Sequence, residues 1–228
     1  MIEVSVIIPV WNGANYLGEA IESVLAQDYP HKEVIVVNDG STDSTQKIIE
    51  EFGKNIRSIV QENKGLGAAR NTGIKASQGR HLSFLDHDDL WEKTKLSDQI
   101  RHLTSATCDD PLVFSYAEQF ICPRLSEDEK NKIVLHKTRL PGYSAGTLLL
   151  SRIRFDEVGF FTENKQVGEF LEWYSRAMAK KIPVTLLDSI HLKRRVHLTN
   201  MGRQKVAYNR NDYLKILKVG LERRRAQE

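Results

Sequence analysis

Two short apolar runs near the start of this chain stop abruptly in acid, and that pattern limits the fold more than any other feature. Glu33-Val34-Ile35-Val36-Val37 leads into Asn38-Asp39-Gly40-Ser41-Thr42-Asp43, and His81-Leu82-Ser83-Phe84-Leu85 leads into Asp86-His87-Asp88-Asp89. A β-branched run followed by Gly, Ser and Asp reads as a buried strand and its turn, so both acid groups belong at strand C-terminal ends. In an open α/β sheet, ligands bind at that edge. Carboxylates crowded this closely repel one another unless a cation or hydrogen-bond donors lie between them, which makes a divalent metal carrying phosphates the natural guest.

Strand and helix patterns alternate around these runs. A first strand spans Val4 to Val10, and Leu17, Ala20, Ile21, Val24 and Leu25 place a helix over Asn15 to Gln27. A second helix covers Ser41 to Phe52, a strand Arg57 to Gln61, a helix Gly67 to Ser77 and a strand His81 to Leu85. Such alternation predicts a parallel sheet with helices on both faces. Beyond Trp91 the pattern loosens: a helix over Lys93 to Leu103, a strand over Leu112 to Tyr116, a charged insertion from Cys122 to Arg139 and a strand from Gly146 to Leu150. A helix over Phe170 to Lys181 and a strand over Val184 to Leu187 follow, and Tyr213, Leu214, Leu217 and Leu221 recur at the spacing of a terminal amphipathic helix.

The 228 residues, 40% hydrophobic and 28% charged, suit one globular domain, or one domain with an appendage. No run approaches the roughly 18 apolar residues of a membrane span, and the start has no cationic leader, so a cytoplasmic protein is expected. Cys108 and Cys122 have no metal-ligand spacing and are expected as reduced thiols. Charge is uneven. Residues 1–110 hold 11 Lys and Arg against 17 Asp and Glu, whereas residues 193–228 hold 11 against 3. The acidic end fits a cation; the basic end fits a diphosphate, an acidic membrane surface or nucleic acid, or is simply a solvated helix.

Gly65-x-Gly67 opens a helix about 20 residues before Asp86, as in a dinucleotide-binding turn, but Arg70 stands where the third glycine belongs. No P-loop is present in the sequence. The Asp86 to Asp89 group could cap the next helix, although three carboxylates exceed what one cap uses. Asp39 could make an Asx-type turn with Gly40 or accept the N3 hydrogen of uracil.

Four ordered motifs carry a family resemblance: Val6-Ile7-Ile8-Pro9-Val10-Trp11-Asn12, Val37-Asn38-Asp39-Gly40-Ser41-Thr42-Asp43, Asn63-x-Gly65-x-Gly67-x-Ala69-Arg70-Asn71-x-Gly73-Ile74, and Phe84-Leu85-Asp86-His87-Asp88-Asp89. Together they resemble the family 2 inverting glycosyltransferases of the GT-A fold, closely to about residue 100. Phe155-x-x-Val158-Gly159-x-Phe161 and Arg195-Val196-His197 extend the match to about residue 200. The resemblance implies a GT-A catalytic domain over residues 1–200, with a mostly parallel central sheet; the helical spacing and charge beyond it give a basic helical segment over 201–228. It implies that Pro9, Trp11, Asp39 and Arg70 hold a uridine nucleotide, that Asp86 meets ribose or sugar, and that Val10, Asn12, Asn63, Gly67 and His87 line the same nucleotide-sugar site. Asp88 would bind Mn²⁺ or Mg²⁺, and His197 matches a histidine that some relatives add as a metal ligand. The family's general base is usually one of an acidic pair opening a late helix. Here the stretch is Gly168-Glu169-Phe170-Leu171-Glu172, so Glu169 is the first candidate and Glu172 the second.

The expected reaction is a single, metal-dependent, inverting transfer from a nucleotide sugar, a UDP-sugar first, to an acceptor hydroxyl. Processive synthesis is not expected, because no Gln-x-x-Arg-Trp motif or membrane span is present in the sequence. Arg223-Arg224-Arg225 suggests peripheral contact with an anionic membrane at its cytoplasmic face; no nucleic-acid partner is expected. Two rivals remain. A nucleotidyltransferase would carry a Gly-rich basic loop after its first strand, where this chain has Val10-Trp11-Asn12-Gly13-Ala14-Asn15, and a sugar-nucleotide-binding protein without turnover would explain Phe170 in the acidic pair.

Overall fold

A computed structural model describes residues 3–105, 109–135, 139–163 and 168–200. Cys108, the expected terminal helix and the basic segment 201–228 lie outside the described residues. Cys122 is a buried free thiol. Among the described residues no helix is long and apolar enough to cross a membrane.

The first half of the chain builds β1 (Val4–Val10), α1 (Leu17–Leu25), β2 (Lys32–Asp39), α2 (Thr45–Glu51), β3 (Arg57–Gln61), α3 (Leu66–Ala76) and β4 (His81–Phe84). Every residue of β1 is buried, as a strand covered on both faces requires. Its side chains alternate: Val4, Val6, Ile8 and Val10 join the core that holds α1, whereas Ile7 meets Ile74 of α3. Gly73 permits that second contact, because a Cβ there would lie 2.5 Å from Ile7 Cγ2.

The second half adds β5 (Leu90–Trp91), α4 (Lys95–Ser105), β6 (Leu112–Ile121), α5 (Glu127–Lys130), β7 (Arg139–Pro141), β8 (Leu149–Ser151), α6 (Arg152–Val158), α7 (Glu169–Ala179) and β9 (Val184–Val196). The sheet runs β3-β2-β1-β4-β8-β6-β9-β5, with β7 also on β6. The long ladders, β1 with β2 and β6 with β9, are parallel, and the antiparallel ones at β8, β7 and β5 are short.

Strands β5 and β7 were not expected, β6 runs on to Ile121 beyond the expected end at Tyr116, and three further features depart from the sequence expectations. The predicted Gly146–Leu150 strand is a 3₁₀ turn over Ala145–Thr147 followed by β8. Helix α6 arises where none was expected; within one seven-residue helix it buries only Phe155 and Val158, too few positions to show a period. Strand β9 runs nine residues beyond Leu187, because its pairing jumps from Ser115↔Leu187 to Tyr116↔Ile190. The bulge leaves Asp188 and Ser189 exposed, and those two polar residues read as a strand end.

Candidate active site

The ladder between β1 and β4 ends at Ile7↔Phe84, with Leu85 N–H donating to Ile7 O at 3.1 Å. Backbone groups two residues apart point the same way, so Pro9, which has no N–H, sits just past the point where β4 would need one. This is the switch in strand order, between β1 and β4, where α/β sheets take ligands. Val10 is buried and Trp11, on the rim, is 54% exposed. Asn12, at φ 51°, staples this loop to the one after β2: its N–H donates to Ser41 Oγ at 2.9 Å and its Oδ1 accepts from Thr42 N–H at 2.8 Å. His87 closes over Gly13, where a Cβ would lie 2.5 Å from His87 Cδ2.

Asp39 is buried and its carboxylate is engaged on both oxygens. Oδ1 accepts from Gln61 Nε2 at 2.7 Å and from Lys64 N–H at 2.9 Å, and Oδ2 accepts from Gly65 N–H at 2.8 Å. These bonds set the loop that carries Asn63 into α3. The turn weighed for Asp39 with Gly40 is closed by Asn38 instead, whose Oδ1 accepts from Ser41 N–H at 2.9 Å. Gly67, in the first turn of α3, lets the segment after α6 approach, since a Cβ would stand 2.4 Å from Thr162 O. Asn71 ties down the same segment, donating to Phe161 O at 2.9 Å and accepting from Phe161 N–H at 3.0 Å.

At the centre lies Arg70, 2% exposed. Its Nη2 donates to Asp86 Oδ1 at 2.7 Å, and its Nη1 donates to Glu169 Oε1 at the first residue of α7. Burial alone would lower the Arg70 pKa, but the charges of Asp86 and Glu169 outweigh it and raise the value, so the group stays cationic. Arg70 Nε is buried without a partner among the described residues.

The acid cluster after β4 is divided among separate partners. Asp86 faces Arg70. Asp88 Oδ2 lies 3.1 Å from His197 Nε2 and accepts from Asn200 Nδ2 at 3.2 Å. Burial pushes the Asp88 carboxyl up, but the His197 hydrogen bond and the nearby imidazoles of His87 and His197 prevail and hold it below its ordinary value. Asp89 is buried; desolvation, then the charges of Asp88 and Asp86, drive its pKa well above the ordinary value, even though Oδ1 accepts from Arg195 N–H at 2.9 Å. Of the two remedies for crowding, hydrogen-bond donors are the one these contacts supply to Asp86 and Asp88, while Asp89 still feels the charges of both.

A metal at this site is tested by the donors present. Among the described residues no group of three or more His, Cys, Asp or Glu side chains converges. Asp88 and His197 form a pair of an oxygen and a nitrogen donor, and a hydrogen bond between Thr199 Oγ1 and His197 Nδ1 at 2.8 Å leaves Nε2 turned to Asp88. Two protein ligands suit an ion that takes its other ligands from a substrate's phosphates and water, so the residues fit.

Glu172, the other acid of α7, is tied elsewhere: both oxygens accept from Arg176 Nε at 3.1 Å, and Oε2 accepts from Thr162 Oγ1 at 2.9 Å. Sequence reasoning gave no role to Arg195, which is 2% exposed and braces the acid loop. Its Nε donates to Asp88 O at 2.9 Å and its Nη2 to Glu19 Oε2 at 2.6 Å. Tyr16 was missed as well: its ring lies under Arg195 at 5.0 Å and against His197 at 4.7 Å. The Arg-x-His spacing at the end of β9 was the only signal for this group, and it becomes informative once the strand is known to extend to Val196.

Comparison with known proteins gives one coherent picture. The model of the family described as Glycosyl transferase family 2 matches residues 5–160. An uncharacterised glycosyltransferase of Rickettsia typhi is 38% identical over 206 residues, covering 85% of this chain and 64% of the relative. TuaG of Bacillus subtilis, a putative teichuronic acid biosynthesis glycosyltransferase, is 40% identical over 109 residues, 46% of this chain and 43% of TuaG. The chain thus spans less than two thirds of these relatives. Among solved structures, S. aureus TarS 1–349 in complex with UDP-GlcNAc superposes with a TM-score of 0.71 at 23% identity, over 90% of this chain and 61% of that one.

Proposed function

The chain belongs to glycosyltransferase family 2 and has the GT-A fold, and on that premise we propose that it catalyses a single, metal-dependent, inverting transfer from a UDP-sugar to an acceptor hydroxyl. The observation that carries this reading is the Arg70 bridge. It joins Asp86, from the motif after β4, to Glu169, which is 99 residues from Arg70 in the chain. A donor-side carboxylate and a candidate base thus share one buried cation.

In this reading Pro9, Val10, Trp11, Asn12, Asp39, Asn63, Gly67 and His87 shape the uridine side of the site. Asp39 must exchange one of its present donors if it is to meet the base. Asp88 and His197 would hold Mn²⁺ or Mg²⁺, which when bound neutralises charge on the departing diphosphate. Glu169 Oε1 is held by Arg70, whereas Oε2 carries no hydrogen bond among the described residues. That free oxygen takes the proton from the acceptor hydroxyl as the hydroxyl oxygen attacks the anomeric carbon opposite the leaving diphosphate, so the bond to the diphosphate breaks as the new glycosidic bond forms. Glu172 is less suited, because Arg176 and Thr162 occupy it. The basic segment beyond residue 200 would rest on anionic lipid, a contact that liposome binding at low and high salt tests.

The donor reading is tested by thermal shift of the full chain with UDP, MnCl₂ and both together, followed by transfer from UDP-GlcNAc in the wild type and Glu169→Gln. Expected are a larger shift with both ligands than with either alone and a loss of turnover of about 10²-fold or more in Glu169→Gln. No response to UDP, or full turnover in the variant, rejects it.

A further inference from the structure

Beside Glu169, on the side of the rim away from β1, β2 and β3, aromatic rings form a half-exposed shelf. A strand has two edges. Strand β9 pairs with β6 from Leu112 to Ile121, so β8, at Val113, and β7, at Tyr116 to Glu118, share the other edge. Strand β7 therefore continues the lane of β8 toward the rim, and the turn after it stands between β6 and the loop after β4. Register sets its height: Ser83 and Val113 both face Leu149, which puts Phe114 level with Phe84, two residues short of Asp86.

Tyr143, in that turn, meets Phe114 edge-on at 5.4 Å and stacks on Tyr174 at 6.1 Å. Phe170, the residue after Glu169, stacks on Tyr174 at 6.1 Å and 10°. Tyr143 is 48% exposed, and Phe170 and Tyr174 are half-buried. Neither phenol hydroxyl has a hydrogen-bond partner among the described residues. Exposed Phe160 and the ring of Tyr116 each lie under a cation, Lys75 and Arg139; no such cation covers Tyr143, Phe170 or Tyr174 among the described residues.

We propose that this shelf is the acceptor subsite and that it takes a neutral pyranose; the proposal rests on Glu169 acting as the base. A pyranose presents a face of C–H groups, which settles on the negative face of an aromatic ring, and a rim of hydroxyls, which unpaired phenols can meet. An acyl chain would leave those phenols without partners. A phosphate or carboxylate would find no cation among the rings.

Saturation-transfer NMR of the full chain with methyl β-glucopyranoside and N,N′-diacetylchitobiose reads the shelf, and thermal shift with UDP and MnCl₂ reads the donor site separately. Expected are saturation of sugar ring C–H protons, an affinity about fivefold weaker in Tyr143→Ala, and recovery in Tyr143→Trp. Saccharides that give no signal with the wild type, or that bind Tyr143→Ala equally, overturn the subsite, as does a Tyr143-dependent uptake of phosphatidylcholine vesicles in place of sugar binding. A UDP response without a saccharide response removes the shelf and leaves the donor reading intact; saccharide binding without a UDP response rejects the donor reading and, with it, the shelf's role as an acceptor subsite.

Discussion

Replacing Arg70 by Met keeps the apolar stem and removes the charge that two carboxylates share. The two arms of the bridge are unequal, because the Glu169 side chain is 7% exposed and that of Asp86 is 40% exposed. Removing one partner of a buried pair strands the other charge at a cost of about 3–5 kcal/mol. The Asp86 arm is screened by water and contributes about 0–1 kcal/mol. The loss should therefore be about 3 kcal/mol and belong mainly to Glu169, equivalent to about 6–12 °C in Tm for a chain of this length. Urea unfolding of four proteins measures it: wild type, Arg70→Met, Arg70→Met/Glu169→Gln and Arg70→Met/Asp86→Asn. The Glu169→Gln background should recover most of the loss, since a neutral amide needs no counter-charge, and the Asp86→Asn background should recover little. A loss below about 1 kcal/mol, or equal rescue by both second changes, would refute the argument.

Asp88→Ala should abolish Mn²⁺-stimulated transfer while leaving the circular dichroism spectrum native; undiminished activity removes Asp88 from any metal site. Burial holds the imidazoles of His81 and His191 below their ordinary 6.5. The stability these groups confer is thus complete above the unfolded value and declines as pH falls through the folded values, because the unfolded chain gains protons that the native state resists. Urea midpoints should drop between about pH 7.5 and about pH 5.5, and a flat or rising midpoint contradicts this. Gly67→Ala adds a Cβ 2.4 Å from Thr162 O, so despite the better helix propensity it should destabilise by about 1–3 kcal/mol; a raised Tm means the 160–163 segment yields without cost.

The alternation up to Trp91 was legible because each element there announces itself locally. Val4–Val10 and Arg57–Gln61 have the same bounds in sequence and structure, the other elements up to β4 differ only at their ends, where periodicity is weakest, and the two-residue β5 was not foreseen. The second half hid its most useful strand, since the bulge at Asp188 and Ser189 interrupts β9 just before the residues that bring Arg195 and His197 to the acid loop. Read along the chain, Asp86, Asp88 and Asp89 are three neighbouring charges, and their separate partners are not visible there.

What the residues dictate in order is where the strands of the first half stop and which side chains there reach the sheet's ligand-binding edge, because strand periodicity and turn chemistry act over a few positions. Which partner each carboxylate receives was settled only by folding. Arg70 meets Glu169 across 99 residues, and Asp88 meets His197 across 109. Charge interactions and desolvation depend on separation in space, and a linear chain does not contain those distances until the sheet and α7 bring them together.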